Sequence, residues 1–301
     1  MKIHQLRDTL YERFLSEETK ERSERIILSI AIASYIIHLL IILSVNQGWI
    51  ALESEFTGDP IAAIYTPFSF ILVYEVYLLI FYLPKSITIY IGKQYEIITL
   101  ILIRRIFKDI ANIELSSNWF KIKDDVQFTY DILASLALFY LIYVFYRQIK
   151  RRNYVSIKKE NKVGKDIRYF VNLKRVIATA LVPILIIMAC FSFYNWAVDA
   201  MFTAESDLKD INDIFFDEFF TLLIIVDVLL LLASFYYSHE FYKIIRNSGF
   251  VISTILLKVS FSVSGIVNIV LIIGAVIFGL SMLFIHNQYE AKLYAEEVKT
   301  T

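Results

Sequence analysis

Cysteine, proline and glycine are scarce in this chain of 301 residues, and each scarcity excludes a class of structure. The single cysteine, Cys190, excludes a disulfide framework and a cluster of thiolate metal ligands. With 8 Gly and 4 Pro, the chain has few residues that end or bend helices. Short segments of alternating polarity, which build membrane β-barrels, are also missing. The sequence therefore predicts long helices joined by loops of modest length.

Apolar residues are abundant, at 57% of the chain, whereas a soluble domain is roughly 45–50% apolar. Seven apolar stretches are long enough to cross a hydrocarbon core of ~30 Å at ~1.5 Å per residue. We predict an all-α polytopic membrane protein, a bundle of about seven transmembrane helices with an N-terminal amphipathic helix. The stretch 86–107 fits least well, because it also carries four charged residues. The predicted spans are 26–45, 61–83, 86–107, 126–146, 176–198, 216–238 and 255–285.

The distribution of positive charge predicts the orientation of these spans. With the N-terminus in the cytoplasm, the inner segments hold 20 Lys and Arg residues, against 6 in the outer segments. We therefore expect a multi-pass protein of the cell membrane with a cytoplasmic N-terminus and an external C-terminus. The richness in Ile, Lys, Phe, Tyr and Asn is compatible with an AT-rich bacterial genome. A bacterial inner membrane would follow from it.

Three regions follow from this topology. Residues 1–25 are predicted to form a cytoplasmic amphipathic helix, which lies on the membrane surface or packs on the protein's own loops. Residues 26–285 form the transmembrane domain, and 286–301 a short tail. The cytoplasmic loop 147–175 holds eleven basic residues, and such loops bind anionic lipid headgroups. Nucleic acid is not expected there. The candidate lipid-binding residues are Arg151, Arg152, Lys158, Lys159, Lys162 and Lys165.

Four ionisable residues fall inside the predicted spans at similar depth: Glu75, Lys93, Glu96 and Asp227. A charged side chain at a bilayer centre costs roughly 2.5–3.5 kcal/mol, so such residues are usually paired or functional. Lys93 and Glu96 are three residues apart and neighbours on one helix. Glu75 is expected to face Lys93 across a helical hairpin. Three carboxylates and one ammonium leave an excess of negative charge, which would attract a cation or a shared proton; a structural ion-pair network is the alternative.

Three further features concern the polar residues near this band. Asn268 belongs to a stripe of small and weakly polar residues in the last span, which either packs closely against another helix or lines a hydrated path. Arg104 and Arg105 are predicted to anchor at lipid headgroups. Lys258 is placed near the inner end of its span, where it can extend to the interface. The other members of the stripe are Ser260, Ser264, Ala275 and Gly279.

No nucleophile arrangement, metal-ligand spacing or nucleotide motif is present, so we expect no enzyme, no cofactor and no metal. The first hypothesis is an ion channel or transporter with a cation or proton pathway. The few glycines and prolines slightly favour a channel. The second is a membrane-embedded sensor, effector or assembly subunit without transport activity, which works through the basic loop. A homo-oligomer through the stripe is compatible with both. The candidate pathway residues are Glu75, Lys93, Glu96, Asp227 and Asn268.

Overall fold

The computed structural model is helical over 94% of its described residues, with no strand among them. It describes the backbone of residues 2–49, 63, 65–110, 123–156, 165–202, 211–237, 240–263 and 265–300, and the side chains of most of these. The all-α prediction is confirmed for these parts of the chain. Their helices are α1 Lys2–Leu15, α2 Glu17–Asn46, α3 Tyr65–Tyr82, α4 Ile87–Ile110, α5 Lys123–Ser156, α6 Lys165–Phe202, α7 Ile211–Tyr237, α8 Phe241–Ser260 and α9 Ile266–Thr300.

The N-terminal region divides into two helices at Ser16. Its hydroxyl accepts a hydrogen bond from the backbone N–H of Thr19, which is the usual cap of a helix N-terminus. Helix α1 therefore ends at Leu15, and the charged residues that follow belong to the first turns of α2, continuous with the first apolar span. The predicted amphipathic segment is helical as expected, and the second helix begins within it.

Five helical segments in the described parts of the chain are long and apolar enough to cross a membrane. They are Asp8–Asn46, Val126–Lys150, Arg168–Phe191, Glu218–Tyr237 and Ile266–Leu293, and Thr66–Tyr82 is a shorter apolar helix. Large apolar side chains such as Ile32, Leu136 and Ile187 are exposed on them, as expected for helices that face lipid. A multi-pass membrane protein is supported, whereas the count of about seven spans is not. Helix α4 is long, but its charges set it apart from the five.

The stretch 255–285, predicted as one span, is divided between two helices. Helix α8 ends at Ser260, a turn follows, and α9 begins at Ile266. Gly265 in this turn has a φ of 73°, a backbone conformation that glycine adopts without strain. The predicted single span is therefore wrong at its N-terminal end, and its first six residues belong to a different helix.

The basic loop 147–175 is mostly helical. Helix α5 continues to Ser156 and α6 begins at Lys165, and residues 157–164 between them lie outside the described residues. Lys158, Lys159 and Lys162 lie outside the described residues. For the other candidate lipid-binding residues, Arg151, Arg152 and Lys165, only the helical backbone is described.

The chain divides into two compact units, which share several of the long helices. Unit 1 comprises Met1–Phe81, Leu100–Leu133 and Ala178–Phe215. In it, the hydroxyl of Tyr77 on α3 donates to the carbonyl of Phe14 at 2.9 Å, which fixes the end of α1 against α3. His38 on α2 is 2.5 Å from the hydroxyl of Thr66, so hydrogen bonds hold α3 to both N-terminal helices.

Unit 2 comprises Tyr82–Thr99, Ala134–Ile177 and Phe216–Thr301. Helices α8 and α9 form an antiparallel hairpin within it. Ser253 donates to the carbonyl of Ala275 at 2.6 Å near the middle of the hairpin. The rings of Tyr242 and Tyr289 stack near its open end, with centroids 6.3 Å apart. Residue 289 therefore lies at the same end of unit 2 as the beginning of α8.

Candidate functional site

A buried ion pair stands at the centre of unit 2. The ammonium of Lys258 on α8 donates to Oδ2 of Asp227 on α7 at 2.8 Å, and each side chain is only 2% exposed. The sequence singled out Asp227 but placed Lys258 near an interface. The structure corrects that placement, because the lysine belongs to α8 and its ammonium lies beside the carboxylate.

Three neutral groups complete the surroundings of this carboxylate. Tyr90 donates its hydroxyl to Oδ1 of Asp227 at 2.9 Å, and the amide nitrogen of Gln94 lies 3.3 Å from Oδ2. The hydroxyl of Thr254 is also 3.3 Å from Oδ2 and donates to a backbone carbonyl at 3.0 Å. Tyr90 and Gln94 are four residues apart on α4, and Thr254 and Lys258 four apart on α8. This spacing puts each pair on one helix face, so two helix faces meet the carboxylate.

Two further polar features lie near Asp227. The amide oxygen of Gln94 is buried without a hydrogen-bond partner in the described part of the chain, and Gln94 is only 1% exposed. Lys174 on α6 is buried, donates to the carbonyl of Lys85 at 2.5 Å, and is close enough to Asp227 for an electrostatic interaction. The carboxylate is therefore near two lysine side chains and an amide with one oxygen still available.

Lys93 and Glu96 form a second pair in unit 2, as their spacing predicted. The ammonium of Lys93 donates to Oε2 of Glu96 at 2.6 Å, and the side chains are 28% and 33% exposed. Lys93 also lies over the rings of Tyr82 and Tyr146, 5.2 and 6.0 Å from their centroids. Cation–π contacts of this kind stabilise an ammonium that is partly removed from water.

Glu75 belongs to unit 1, where it is paired with Arg104. The guanidinium donates to Oε2 of Glu75 at 2.5 Å and to the carbonyl of Phe68 at 3.1 Å. Both side chains are largely buried. Arg104, predicted to anchor at lipid headgroups, is therefore the partner of a buried carboxylate. The other four candidate residues lie in unit 2, and the single band predicted to include Glu75 stays a prediction.

A further buried carboxylate, Asp131 on α5, was missed by the sequence analysis. Arg105 donates to both of its oxygens, at 2.5 and 2.7 Å, and Gln127 donates to Oδ1 at 2.8 Å. Arg105 is thus also an ion-pair partner, and its predicted contact with lipid headgroups stays a prediction. The available indication was simply an Asp six residues into a predicted span, with Gln127 four residues before it.

The stripe around Asn268 contributes mainly to helix packing. The amide of Asn268 is fully buried and donates to the carbonyl of Ser260 at 2.6 Å, across the turn between α8 and α9. A Cβ at Gly279 would lie only 1.8 Å from the hydroxyl of Tyr95, so this glycine permits a close approach. Of the two alternatives for the stripe, these contacts favour close packing over a hydrated path.

Each carboxylate discussed above has a cationic partner, which changes the predicted charge balance. An excess of negative charge followed from counting three carboxylates against Lys93 alone. Within the residues that the structure describes, Lys258 and Arg104 supply the two missing cations, and Arg105 pairs with the additional carboxylate Asp131, so that expectation is wrong. The four pairs are Asp227–Lys258, Glu96–Lys93, Glu75–Arg104 and Asp131–Arg105.

Comparisons with known proteins add no family to these observations: no protein-family model, no curated protein and no solved structure matches the chain. Among the described residues, no group of three or more His, Cys, Asp or Glu side chains is arranged to hold a metal ion. The geometry around Asp227 is therefore the main indication of function.

Proposed function

We propose that this chain is a membrane channel or transporter that passes protons or small cations, and that Asp227 is the central residue of its pathway. The observation that carries the proposal is the buried pair of Asp227 and Lys258, in which Asp227 lies on the candidate membrane span Glu218–Tyr237. Lys258 is the tethered counter-ion of this carboxylate. A permeant cation would compete with its ammonium for the carboxylate.

The energetics of buried charge support a functional role for this pair. Removing two ions from water carries a desolvation cost of several kcal/mol per ion, and the attraction between them only partly offsets it. Replacing a buried ion pair by apolar residues of similar volume often leaves stability unchanged or raises it by ~1–4 kcal/mol. A helix pair held only by packing would therefore not need Asp227 and Lys258. Ionisable residues at membrane depth are commonly part of ion or proton pathways.

Lys93 and Glu96 form a second, more accessible binding site for the permeant ion in this proposal. Their side chains are about one-third exposed, whereas Asp227 and Lys258 are almost fully buried. A cation would meet the accessible carboxylate more easily than the buried one. Asn268 is left out of the pathway, because its amide is committed to the carbonyl of Ser260.

A sensor or assembly subunit without transport activity is the second candidate, and the charge compensation favours it. Four carboxylates that each have a cationic partner would also suit a rigid scaffold for an interaction at the basic loop 147–175. This candidate expects loss of function when Lys158, Lys159, Lys162 and Lys165 are neutralised together. It also expects no effect of Asp227→Asn beyond stability.

The proposed location is the cell membrane, with a cytoplasmic N-terminus as the positive charges indicate. A bacterial inner membrane, contacts of the basic segment with anionic lipid headgroups, and a homo-oligomer belong to the same proposal. None of these features alters the role given to Asp227.

The experiment is ion flux through purified protein in liposomes under imposed K⁺, Na⁺ and proton gradients. Wild type is compared with Asp227→Asn and with a matched control, Asp131→Asn, which also neutralises a buried, paired carboxylate. Flux that is lost in the Asp227 variant and kept in the control supports the pathway. Equal flux in all three proteins contradicts it, and a folded wild type without flux favours the second candidate.

A further inference from the structure

We propose that the species bound at Asp227 is a proton and not a metal cation, with Lys258 as the counter-ion that protonation releases. This inference rests on the proposed function and narrows its substrate class. It follows from the hydrogen-bonding groups around the carboxylate and from the charges nearby.

Hydrogen-bond donors already occupy the carboxylate of Asp227. Tyr90 donates to Oδ1, and Lys258 donates to Oδ2 at 2.8 Å, with the Gln94 amide nitrogen 3.3 Å from the same atom. These groups direct hydrogens towards the oxygens, whereas a metal ion needs oxygen lone pairs directed towards itself. An ammonium group also occupies the position that a bound cation would take.

Few acceptor atoms remain for a metal ion. Calcium takes about 6–8 oxygen ligands and magnesium about six in a near-octahedral arrangement. Around Asp227, the amide oxygen of Gln94 is a buried acceptor without a partner in the described residues. The hydroxyl of Thr254 is shared with a backbone carbonyl. A proton requires only one lone pair on one carboxylate oxygen.

The surrounding charge also opposes a metal ion. Lys258 and Lys174 are both buried, and both are close enough to act on Asp227. A divalent metal ion would add two positive charges to a site with two ammonium groups and one carboxylate, whereas a proton adds one. A proton instead forms a covalent O–H bond with the carboxylate and can leave again as the pair re-forms.

The binding step balances without any other reactant. The incoming proton forms an O–H bond on Asp227, the ion pair ends, and Lys258 keeps its three hydrogens. The amide oxygen of Gln94 is then an available acceptor beside the carboxylate. When the proton leaves Asp227, the O–H bond breaks and the attraction to Lys258 is restored. Gln94 is thus a positioning residue for the released lysine.

The test measures two kinds of flux in the same proteoliposomes. A pH-sensitive dye follows protons, and radioactive sodium and rubidium follow metal cations. Wild type is compared with Asp227→Asn and with Asp227→Glu, which keeps a titratable carboxyl group. We expect proton flux in the wild type, flux at the level of protein-free liposomes in the Asn variant, partial recovery in the Glu variant, and no sodium or rubidium uptake.

The other outcomes separate this inference from the proposed function. Sodium or rubidium uptake that Asp227→Asn abolishes overturns the proton assignment and keeps the pathway. No flux of any ion through a folded, monodisperse wild type overturns both. Proton flux that is equal in the wild type and the folded Asn variant also overturns the inference, because the proton then does not bind at Asp227.

Discussion

Gly279 provides a sharp test of the packing that positions the site, because its substitution has a matched control on the same helix. A Cβ at Gly279 would lie 1.8 Å from the hydroxyl oxygen of Tyr95 and 2.9 Å from Oγ of Ser253. Tyr95 is almost fully buried, is hydrogen-bonded to Ser253 at 2.7 Å, and packs edge-on against Phe145. Its hydroxyl has little room to move. Gly274, in contrast, has no atom within 4 Å of the corresponding position.

The expected change in stability combines two destabilising contributions and one stabilising contribution. Overpacking a well-packed core costs about 1–3 kcal/mol. Loss of the hydrogen bond between Tyr95 and Ser253 adds about 1–3 kcal/mol, if it leaves a buried polar group unsatisfied. Alanine gains roughly 1 kcal/mol of helix propensity over glycine in both variants. We therefore expect Gly279→Ala to lower stability by ~1–5 kcal/mol, and Gly274→Ala to leave it equal or raise it by up to ~1 kcal/mol.

The assay is thermal unfolding of the purified proteins in one detergent, followed by circular dichroism. Gly279→Ala is expected to have a clearly lower Tm than Gly274→Ala. Tyr95→Phe removes the oxygen that the new Cβ would meet, so Gly279→Ala should cost less stability in the Tyr95→Phe background. Equal Tm values for the two alanine variants, or no relief in that background, would refute the packing argument.

Two further predictions concern the ion pair and the hairpin. Lys258→Met alone should lower stability by ~3–5 kcal/mol, because it leaves the charged Asp227 without its ion-pair partner. The double variant with Asp227→Asn should be close to wild type in thermal unfolding. If the losses of stability in the two single variants simply add in the double variant, the ion pair is contradicted. For the hairpin, Glu240→Cys and Gln288→Cys are each introduced in a Cys190→Ala background. Both cysteines should react with an impermeant maleimide from the same side of the membrane, because α8 and α9 are antiparallel. Labelling from opposite sides would contradict the hairpin and support the external C-terminus expected from sequence.

The class of fold was predictable because it depends on local properties of the chain. Long apolar runs with few glycines and prolines predict membrane helices, and the described residues are helical. The pair of Lys93 and Glu96 was predictable for the same reason, since a spacing of three residues makes neighbours on any helix. Neither inference requires knowledge of which helices touch.

The long-range pairs were not predictable, because helix periodicity defines the faces of a helix but not which faces meet. Asp227 and Lys258 are 31 residues apart, and Glu75 and Arg104 are 29 apart. Lys258 is expected near the inner end when 255–285 is a single overlong span, whereas the structure divides this stretch between two helices. Ser260, Ser262 and Ser264, which alternate with apolar residues before Gly265, are typical of a turn. Two of them also fit the polar stripe, so the stripe concealed the turn.

The predicted excess of negative charge was wrong for a related reason. It counted only residues in the middle of each span and left the basic residues near the ends to the lipid headgroups. Arg104 and Arg105 lie near the end of their predicted span, yet both pair with carboxylates in unit 1. Ion pairing at membrane depth therefore has to be judged with the end residues included.

The most direct test of the central claim is proton flux through the double variant Asp227→Asn, Lys258→Met. This variant removes both charges together, so its fold and thermal stability should stay close to those of the wild type, and a loss of flux cannot be attributed to misfolding. If protons bind at Asp227, we expect a folded protein whose proton flux is no greater than that of protein-free liposomes. A folded double variant that conducts protons at the wild-type rate would contradict it.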